Sequence, residues 1–406
     1  MKVIYISPAV PSTLLSEATS SRVVENNMAT GIAEMLYASF LSDLKCFTLQ
    51  PRLKNKGYAK ISRHRYERLN DNIDTEVFPC MTTPMLSVII GFFVVMFKLN
   101  RYIAELWAKG ERDICVVTYN SLPPASVVML LMQKRKYLKT VCVLLDSPVI
   151  PMLSSRFKNI ILSIWNLFAI RVFKNYDGAM SVAEACVKNF NPIVPYMPLL
   201  PGVTKETLDS SSELPILPVS DTIELIYAGN LTRFNGVDTI VEVMSLLPAN
   251  YRLTIYGTGT LTKYVTEKSM NNPQIVYKGF VPHERVMAEY AKSHLLMIIR
   301  CGGDKLSDWL LEYGTSSKLA EMLLTGKPVI TNSIRANPKS FERYLNIVEA
   351  PDHKSVADMI LKITKDNASY VEAVNKAREG RRFYLENATW EKQAAQACRF
   401  IDSLFN

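Results

Sequence analysis

The sequence predicts an α/β protein made of two doubly wound domains. Three observations carry that expectation. At 406 residues the chain has room for two domains of about 100–200 residues each. Short runs rich in Val and Ile alternate with longer segments of helical period, and the runs are nearly continuous in their apolar character, as in parallel strands covered by helices on both faces. Two such series occur, and a proline-dense stretch separates them.

The first series opens at the N-terminus. Met1-Lys2 leads into Val3-Ile4-Tyr5-Ile6 and then Ser7-Pro8. Four apolar residues are too few for the core of a signal peptide, so the segment reads as a first strand over 2–6 that ends in a loop. Further strands are expected at 44–49, 114–118, 141–145 and 178–181. Two apolar helices fall between them, Met85–Phe97 and Ile160–Phe173, both flanked by Lys and Arg. Such helices suit either a core or the interface of a membrane. Pro192, Pro195, Pro198 and Pro201 then fall at every third residue, Gly202 follows, and Pro215 and Pro218 come after a polar stretch over 209–213. Proline at that density neither continues a helix nor enters a central strand, which places a hinge at about 195–220. The second series has strands expected at 223–228, 252–256, 274–278, 295–299 and 328–331, and a closing helix over 388–402.

Composition narrows the class. Hydrophobic residues make up 48% and charged residues 21%, ordinary for a folded globular chain. No run of about 20 apolar residues is available to span a bilayer. The seven cysteines are scattered without C-x-x-C spacing, several within apolar runs, which fits buried thiols in a reducing cytoplasm. Four histidines without ligand-pair spacing argue against a histidine-based metal site. Residues 1–200 carry 23 Lys+Arg against 14 Asp+Glu, whereas residues 201–406 carry 24 of each, so the whole excess of +9 belongs to the first half. Part of it is the run Arg52, Lys54, Lys56, Lys60, Arg63, Arg65 and Arg68. Such a field suits an anionic membrane, phosphorylated substrates or nucleic acid, or is a solvated basic loop. The run has no RNP, zinc or helix-turn-helix pattern, so no nucleic-acid partner is expected.

The chemical signal lies in the second half. Thr315-Ser316-Ser317-Lys318-Leu319-Ala320-Glu321 begins a helix of about nine residues that ends at Gly326, with Pro328 and a strand beyond. The start of a helix offers unpaired N–H groups and the positive end of a dipole, and hydroxyls there suit a diphosphate. Lys318 adds a charge. Glu321, one turn in, has the acceptors to hold both hydroxyls of a vicinal diol such as a ribose. A capping box would need Ser or Thr three residues before the glutamate, where Lys318 stands. Plain capping by Ser317, with Glu321 merely solvated, is the alternative.

Here the sequence resembles a known family. The run from Ser317 to Glu321 with Gly326-Lys327-Pro328-Val329-Ile330 is similar to the nucleotide-sugar motif of GT-B glycosyltransferases of family 4. Leu225-Ile226-Tyr227-Ala228-Gly229-Asn230-Leu231 resembles the strand and glycine loop that open that family's donor domain. Leu253–Gly259 resembles its strand and glycine turn, Val276–Pro282 its base-contacting loop, and Leu295–Arg300 the strand before its donor loop. The likeness covers about 222–365. Over 1–200 it rests on the order of strands and helices and on Asp146-Ser147-Pro148 after a strand.

The resemblance implies a GT-B fold, with two Rossmann-like domains facing across a cleft. Residues 1–200, joined by the last helix over 388–406, would bind the acceptor, and 201–387 the donor. The implied activity is transfer of a sugar, with retention at the anomeric carbon, from a nucleotide diphosphate sugar and without a metal or other cofactor. Glu321 would bind the ribose, and Thr315, Ser316 and Ser317 the diphosphate. Arg300 and Lys318 would supply charge to the leaving group. Gly229, Asn230 and Gly257 would line the donor loop, and Gly279 and Phe280 would border the base. The family's glutamate eight residues before Glu321 is Tyr313 here, with Glu312 one residue off. Its phosphate-binding lysine is Asn235, with Arg233, two residues earlier, as the candidate substitute. The expected acceptor is a lipid-linked glycan in cell-surface polysaccharide assembly, met at the inner face of the plasma membrane by a cytoplasmic protein. An inactive GT-B subunit that supports a partner transferase and a sugar-nucleotide epimerase are the competing readings. Gly257-Thr258-Gly259 begins like a dinucleotide fingerprint but lacks its third glycine, which sets a dehydrogenase aside.

Overall fold

The computed structural model describes residues 1–11, 14, 23–49, 64–78, 84–120, 123–133, 137–149, 156–203, 208, 214–219 and 222–406. They form two compact units. One comprises Met1–Lys205 with Ala388–Asn406, the other Glu206–Asn387.

The first unit contains strands β1 (Lys2–Ser7), β2 (Leu44–Leu49), β3 (Arg65–Asn70), β4 (Ile73–Phe78), β5 (Ile114–Tyr119), β6 (Leu138–Leu144), β7 (Gly178–Ser181) and β8 (Tyr196–Pro198). They make one eight-stranded sheet in the order β3-β4-β2-β1-β5-β6-β7-β8. All neighbours are parallel except β3, which pairs antiparallel with β4 at the edge. The central strands are buried along their length, as the unbroken Ile114-Cys115-Val116-Val117 run requires. The β3–β4 hairpin is not signalled by apolar runs, because three of the four residues Arg65-Tyr66-Glu67-Arg68 are charged. Its turn is set by Asn70, whose side-chain oxygen accepts from the N–H groups of Asn72 (3.1 Å) and Ile73 (3.0 Å). Of the basic run, only Arg65 and Arg68 lie within the described residues, in β3. Pro198 lies in β8, a strand inside the stretch of about 195–220 that was expected only as a hinge. This is the edge strand, where the missing N–H costs no ladder bond.

Right-handed crossovers place helices Pro84–Ala108, Pro123–Met132 and Arg156–Phe173 side by side on one face of this sheet. The first is 25 residues long, nearly twice its apolar segment, because its C-terminal half continues as an amphipathic helix. Helix Val23–Phe40 covers the other face and packs against Trp390–Ser403. Buried Gln393 ties that last helix to Leu200, accepting from its N–H (2.8 Å) and donating to its carbonyl (3.1 Å). His64 is 2.6 Å from the buried carboxylate of Glu76, which Lys98 also approaches at 3.4 Å, so this histidine serves the sheet edge.

The second unit contains β9 (Ile223–Ala228), β10 (Tyr251–Tyr256), β11 (Ile275–Gly279), β12 (Leu295–Ile298), β13 (Val329–Asn332) and β14 (Asn346–Val348). The sheet is wholly parallel, in the order β11-β10-β9-β12-β13-β14. From β9 the chain moves outward to β11, then returns to the other side of β9 for β12. The strand order therefore reverses between β9 and β12, and that switch point is where open α/β sheets bind ligands. His294 anchors the start of β12: its Nδ1 accepts from the Glu224 N–H (3.0 Å) and its Nε2 meets the Pro218 carbonyl (3.1 Å).

In the first unit the Trp390 indole fills a slot built from two residues without side chains. A Cβ on either Gly31 or Gly202 would fall within the van der Waals radius of the ring. Gly31→Ala and Gly202→Ala are each expected to cost about 1–3 kcal/mol through overpacking, read as a lower urea midpoint. Unchanged midpoints would contradict the slot.

Candidate functional site at the switch point of the second sheet

At Gly229, just past β9, the chain bends and enters a backbone seam. Gly229 N–H donates to the Tyr256 carbonyl (3.0 Å), Leu231 N–H to Thr258 (3.0 Å), and Gly257 N–H to Gly279 (2.8 Å). The turns after β9, β10 and β11 therefore lie side by side along the C-terminal edge of the sheet. Glycine is required for this closeness: a Cβ on Gly257 would strike the Gly229 carbonyl, and one on Gly259 the Leu231 carbonyl. Asn235 closes the same loop, its amide donating to the Asn230 carbonyl (2.9 Å) and to Thr232 Oγ1 (2.9 Å).

Helix Ser317–Thr325 brings its first turn to this seam. A Cβ on Gly229 would occupy the position of the Lys318 ammonium, so the lysine lies directly across the glycine. Its Nζ also stands 5.4 Å from the centre of the Tyr227 ring, a cation–π contact on a buried aromatic. The Tyr227 hydroxyl donates to the Asn230 carbonyl (2.9 Å), which fixes the ring beneath the loop. Across the switch point, Arg300 follows β12. Its guanidinium lies 4.6 Å from the centre of the Phe234 ring. Its backbone is clamped by Asn332, which accepts from the Arg300 N–H (2.9 Å) and donates to its carbonyl (3.0 Å).

These groups share one electrostatic environment. Burial, with the Arg300 charge nearby, pulls the Lys318 ammonium down to about 8, against the opposing pull of Glu321. Burial also lowers Arg300, opposed by Tyr227. Two cations held close together in a poorly solvated recess are an incomplete arrangement, and an anion between them relieves it. Glu321 is half-buried one turn into the helix. Its charge reaches Lys318 on one side and, on the other, the buried Tyr290 hydroxyl, which burial and then Glu321 push up.

Ser316 is the N-cap of the helix in extended backbone, yet its side chain makes no capping bond. Its hydroxyl is buried without a hydrogen-bond partner. Leaving a hydroxyl so placed costs about 1–3 kcal/mol, which a ligand at the helix start would recover. Thr315 is half-buried beside it, and the side chain of Ser317 lies outside the described residues.

Gly229, Gly257, Arg300, Ser316, Lys318 and Glu321 thus belong to the β9, β10 and β12 ends and the facing helix start, with Asn230 exposed on the adjoining loop. Gly279 and Phe280 stand at the end of β11, two strands from β9. Gly279 has a positive φ of 70° with open space ahead, and Phe280 is 76% exposed. Arg233 is exposed, 3.8 Å from the Asp238 carboxylate. Glu312 pairs with Arg335 at 3.0 Å, and Tyr313 packs its ring against Trp309. Sequence reasoning missed Tyr227 and Tyr290. Both read as ordinary core residues of a strand and a helix, and only the hydrogen bond of the Tyr227 hydroxyl and the Glu321 charge near Tyr290 set them apart. Among the described residues no group of three or more His, Cys, Asp or Glu side chains is placed to hold a metal ion.

The arrangement suits a polyanion spanning the switch point, with a diol against the carboxylate. Comparison with known proteins bears on its identity. Among the curated proteins none matches the chain. Three solved structures illustrate its likeness. HepE of Anabaena, in complex with UDP, is 10% identical, with 99% of this chain and 100% of that one covered and a TM-score of 0.61. The lipopolysaccharide outer core galactosyltransferase WaaB is 11% identical, with 99% and 100% covered and a TM-score of 0.61. TarM of S. aureus, with fondaparinux, alpha-GlcNAc-glycerol and UDP, is 13% identical with a TM-score of 0.52. The match takes in 79% of this chain but only 59% of that one. At these identities the likeness is one of fold, and the fold is GT-B. Residues 215–380, most of the second unit, match the family profile described as glycosyl transferases group 1.

Proposed function

We propose that the protein is a retaining glycosyltransferase of the family 4 kind. It moves a hexosyl group from a nucleotide diphosphate sugar to a glycolipid or polysaccharide-precursor acceptor, without a metal, in the assembly of cell-surface polysaccharide. The second unit takes the donor and the first the acceptor. The protein works in the cytoplasm, peripheral to the inner face of the plasma membrane. The observation that carries the reading is the pair Lys318 and Arg300 gathered at the switch point, with the unpaired Ser316 hydroxyl at the helix start. The group 1 profile over 215–380 supports it, as does the presence of UDP in the structures of two proteins of like fold.

Chemically, the bond from the anomeric carbon to the diphosphate oxygen breaks, and its electron pair stays on that oxygen. The acceptor hydroxyl oxygen forms the new bond to carbon and gives up its proton. Charge therefore grows on the leaving phosphate, and donors fixed in advance around it stabilise the transition state more than the ground state. Lys318, Arg300 and the N–H groups at the start of helix Ser317–Thr325 fill that role. Glu321 holds the ribose hydroxyls and thereby sets where the diphosphate lies. Asn235 and Tyr313, uncharged where the family carries charge, concentrate the leaving-group contacts on Lys318 and Arg300.

Glu321→Ala is expected to lower turnover at least tenfold, about 1.4 kcal/mol of transition-state stabilisation, with the unfolding midpoint unchanged. Wild-type kinetics in this variant would remove the assignment, and nucleotide binding without transfer or donor hydrolysis in the wild type would favour the scaffolding subunit. A thermal-shift screen of nucleotide sugars identifies the donor, since a tight ligand raises apparent stability by mass action. Lys318 supplies a pH signature. In the free protein it loses its proton above about 8. A bound diphosphate favours the charged form, so UDP binding between pH 8 and 9 should take up a proton, and affinity should fall as the pH rises through that range. Calorimetry in two buffers of different ionisation enthalpy reads both effects. Lys318→Met should abolish them, and a wild-type affinity flat from pH 7 to 9 would contradict the role.

A further inference from the structure

The first unit carries a surface that neither its core nor the proposed donor site explains. Helices Pro84–Ala108, Pro123–Met132 and Arg156–Phe173 lie side by side on one face of its sheet. On the outer side of the last, Ile160, Ile164 and Leu167 are 61%, 65% and 69% exposed. They follow one another at spacings of four and three, so they form a single stripe along the helix. The stripe continues into exposed Arg171 and Lys174. The first helix repeats the apolar part: Phe93 and Phe97, 57% and 66% exposed, lie in line with exposed Arg101, which pairs with Glu105 at 2.9 Å. Leu131, at the end of the helix between them, is 54% exposed.

In crossovers of a parallel sheet, each helix starts near the C-terminal ends of the strands and runs back toward their N-terminal ends. The two stripes therefore run in the same direction. Their apolar parts form one band and their basic ends another, and the apolar band is the nearer to the C-terminal edge of the sheet, the edge at which α/β domains take ligands.

The charge pattern says what this face meets. No acidic residue occurs between Glu76 and Glu105, between Asp113 and Asp146, or between Asp146 and Asp177. Of the basic side chains described in these stretches, Lys98 pairs with Glu76, Arg101 with Glu105 and Lys139 with Asp177, while exposed Arg171 and Lys174 close the stripe of the last helix. A protein partner is ordinarily met by a surface of mixed sign with charge depleted at its centre, whereas an anionic bilayer is met by large apolar side chains with an excess of Lys and Arg at their margin. Among the described residues no helix is long and apolar enough to cross a membrane, so contact in the plane of the interface is the geometry available.

We propose that this three-helix face is the surface by which the first unit lies on an anionic lipid bilayer. Phe97, Ile160, Ile164 and Leu167 enter the headgroup region, and Arg171 and Lys174 lie against lipid phosphates. The proposal rests on the reading of the protein as a peripheral transferase with a lipid-linked acceptor. It adds which face docks, and it sets the acceptor-side edge of the sheet toward the lipid.

The test uses the full-length chain and two kinds of vesicle, one of phosphatidylcholine alone and one of phosphatidylglycerol and phosphatidylcholine in equal parts. Co-sedimentation is expected with the anionic vesicles, declining as salt rises, and little with the zwitterionic ones. The variant Phe97→Glu/Ile164→Glu/Leu167→Glu changes exposed positions only. It should reduce the bound fraction at least about tenfold while keeping the wild-type melting curve and UDP affinity. A variant that sediments like the wild type overturns the docking face and leaves the membrane reading standing. A wild type that ignores anionic vesicles yet transfers sugar to a soluble acceptor overturns both membrane statements and leaves the transferase intact. A lipid-free wild type that self-associates through these residues, with the variant monomeric and vesicle binding unchanged, assigns the face to a second copy of the chain and also overturns the proposal. Patch-dependent vesicle binding in a protein that binds no nucleotide supports the face while removing the transferase reading.

Discussion

The contact on which the second unit's chemistry depends is the Lys318 ammonium lying across Gly229. It requires a residue without a Cβ at the end of β9, a helix whose first turn points at that residue, and an aromatic ring, Tyr227, on which the ammonium rests. Each requirement is met by a different part of the sequence, and the parallel sheet brings them together. The contact is also costly in isolation, because burial and Arg300 both disfavour the charge on Lys318. A folded-state pKa below the ordinary lysine value means that the unfolded chain binds the proton more tightly. The penalty is therefore fully present below about 8 and fades as the pH rises toward the unfolded lysine range. Retaining such a penalty at neutral pH is the mark of a site organised for a ligand rather than for stability.

The rest of the unit keeps that contact in place. The glycine seam of Gly229, Gly257 and Gly259 packs three turns backbone against backbone, so the loop under Lys318 has little room to move. Asn235 locks the loop from its other side, and Asn332 fixes the backbone of Arg300. These amide clamps fix the loop beside Lys318 and the backbone that carries Arg300, and among the described residues neither cation makes an ion pair within 4.0 Å. Glu321 acts at longer range, and its position one turn into the helix balances Lys318 while presenting acceptors to a neutral diol.

Much of this was legible in the sequence, for physical reasons that differ by element. The central strands of both sheets are buried on both faces, so their apolar runs are long and their limits are close to those expected, as at 44–49, 178–181 and 223–228. The β3–β4 hairpin was not legible. An edge hairpin is half solvated, and its strand Arg65–Asn70 looks like part of a basic loop. The short strands Tyr196–Pro198 and Asn346–Val348 were missed because three residues carry no periodicity. At the site, Gly229, Lys318 and Glu321 announce themselves by residue type and spacing. Tyr227 and Tyr290 do not, since a buried tyrosine reads as core until the groups around its hydroxyl are known. The exposed stripe on Arg156–Phe173 illustrates the converse: its apolar period is plain in sequence, but whether it faces the sheet or the solvent is decided by packing alone.

The central claim is that Lys318 grips a diphosphate only because Gly229 leaves it the space to do so. Titrating UDP into Gly229→Ala beside the wild type tests it most directly, since the added methyl displaces the ammonium without removing any charged group. The account predicts a loss of affinity of about tenfold or more, equivalent to about 1.4 kcal/mol, in a protein that still folds cooperatively but melts lower, since alanine at the positive φ of Gly229 (156°) strains the backbone. Equal affinity in the two proteins would contradict it.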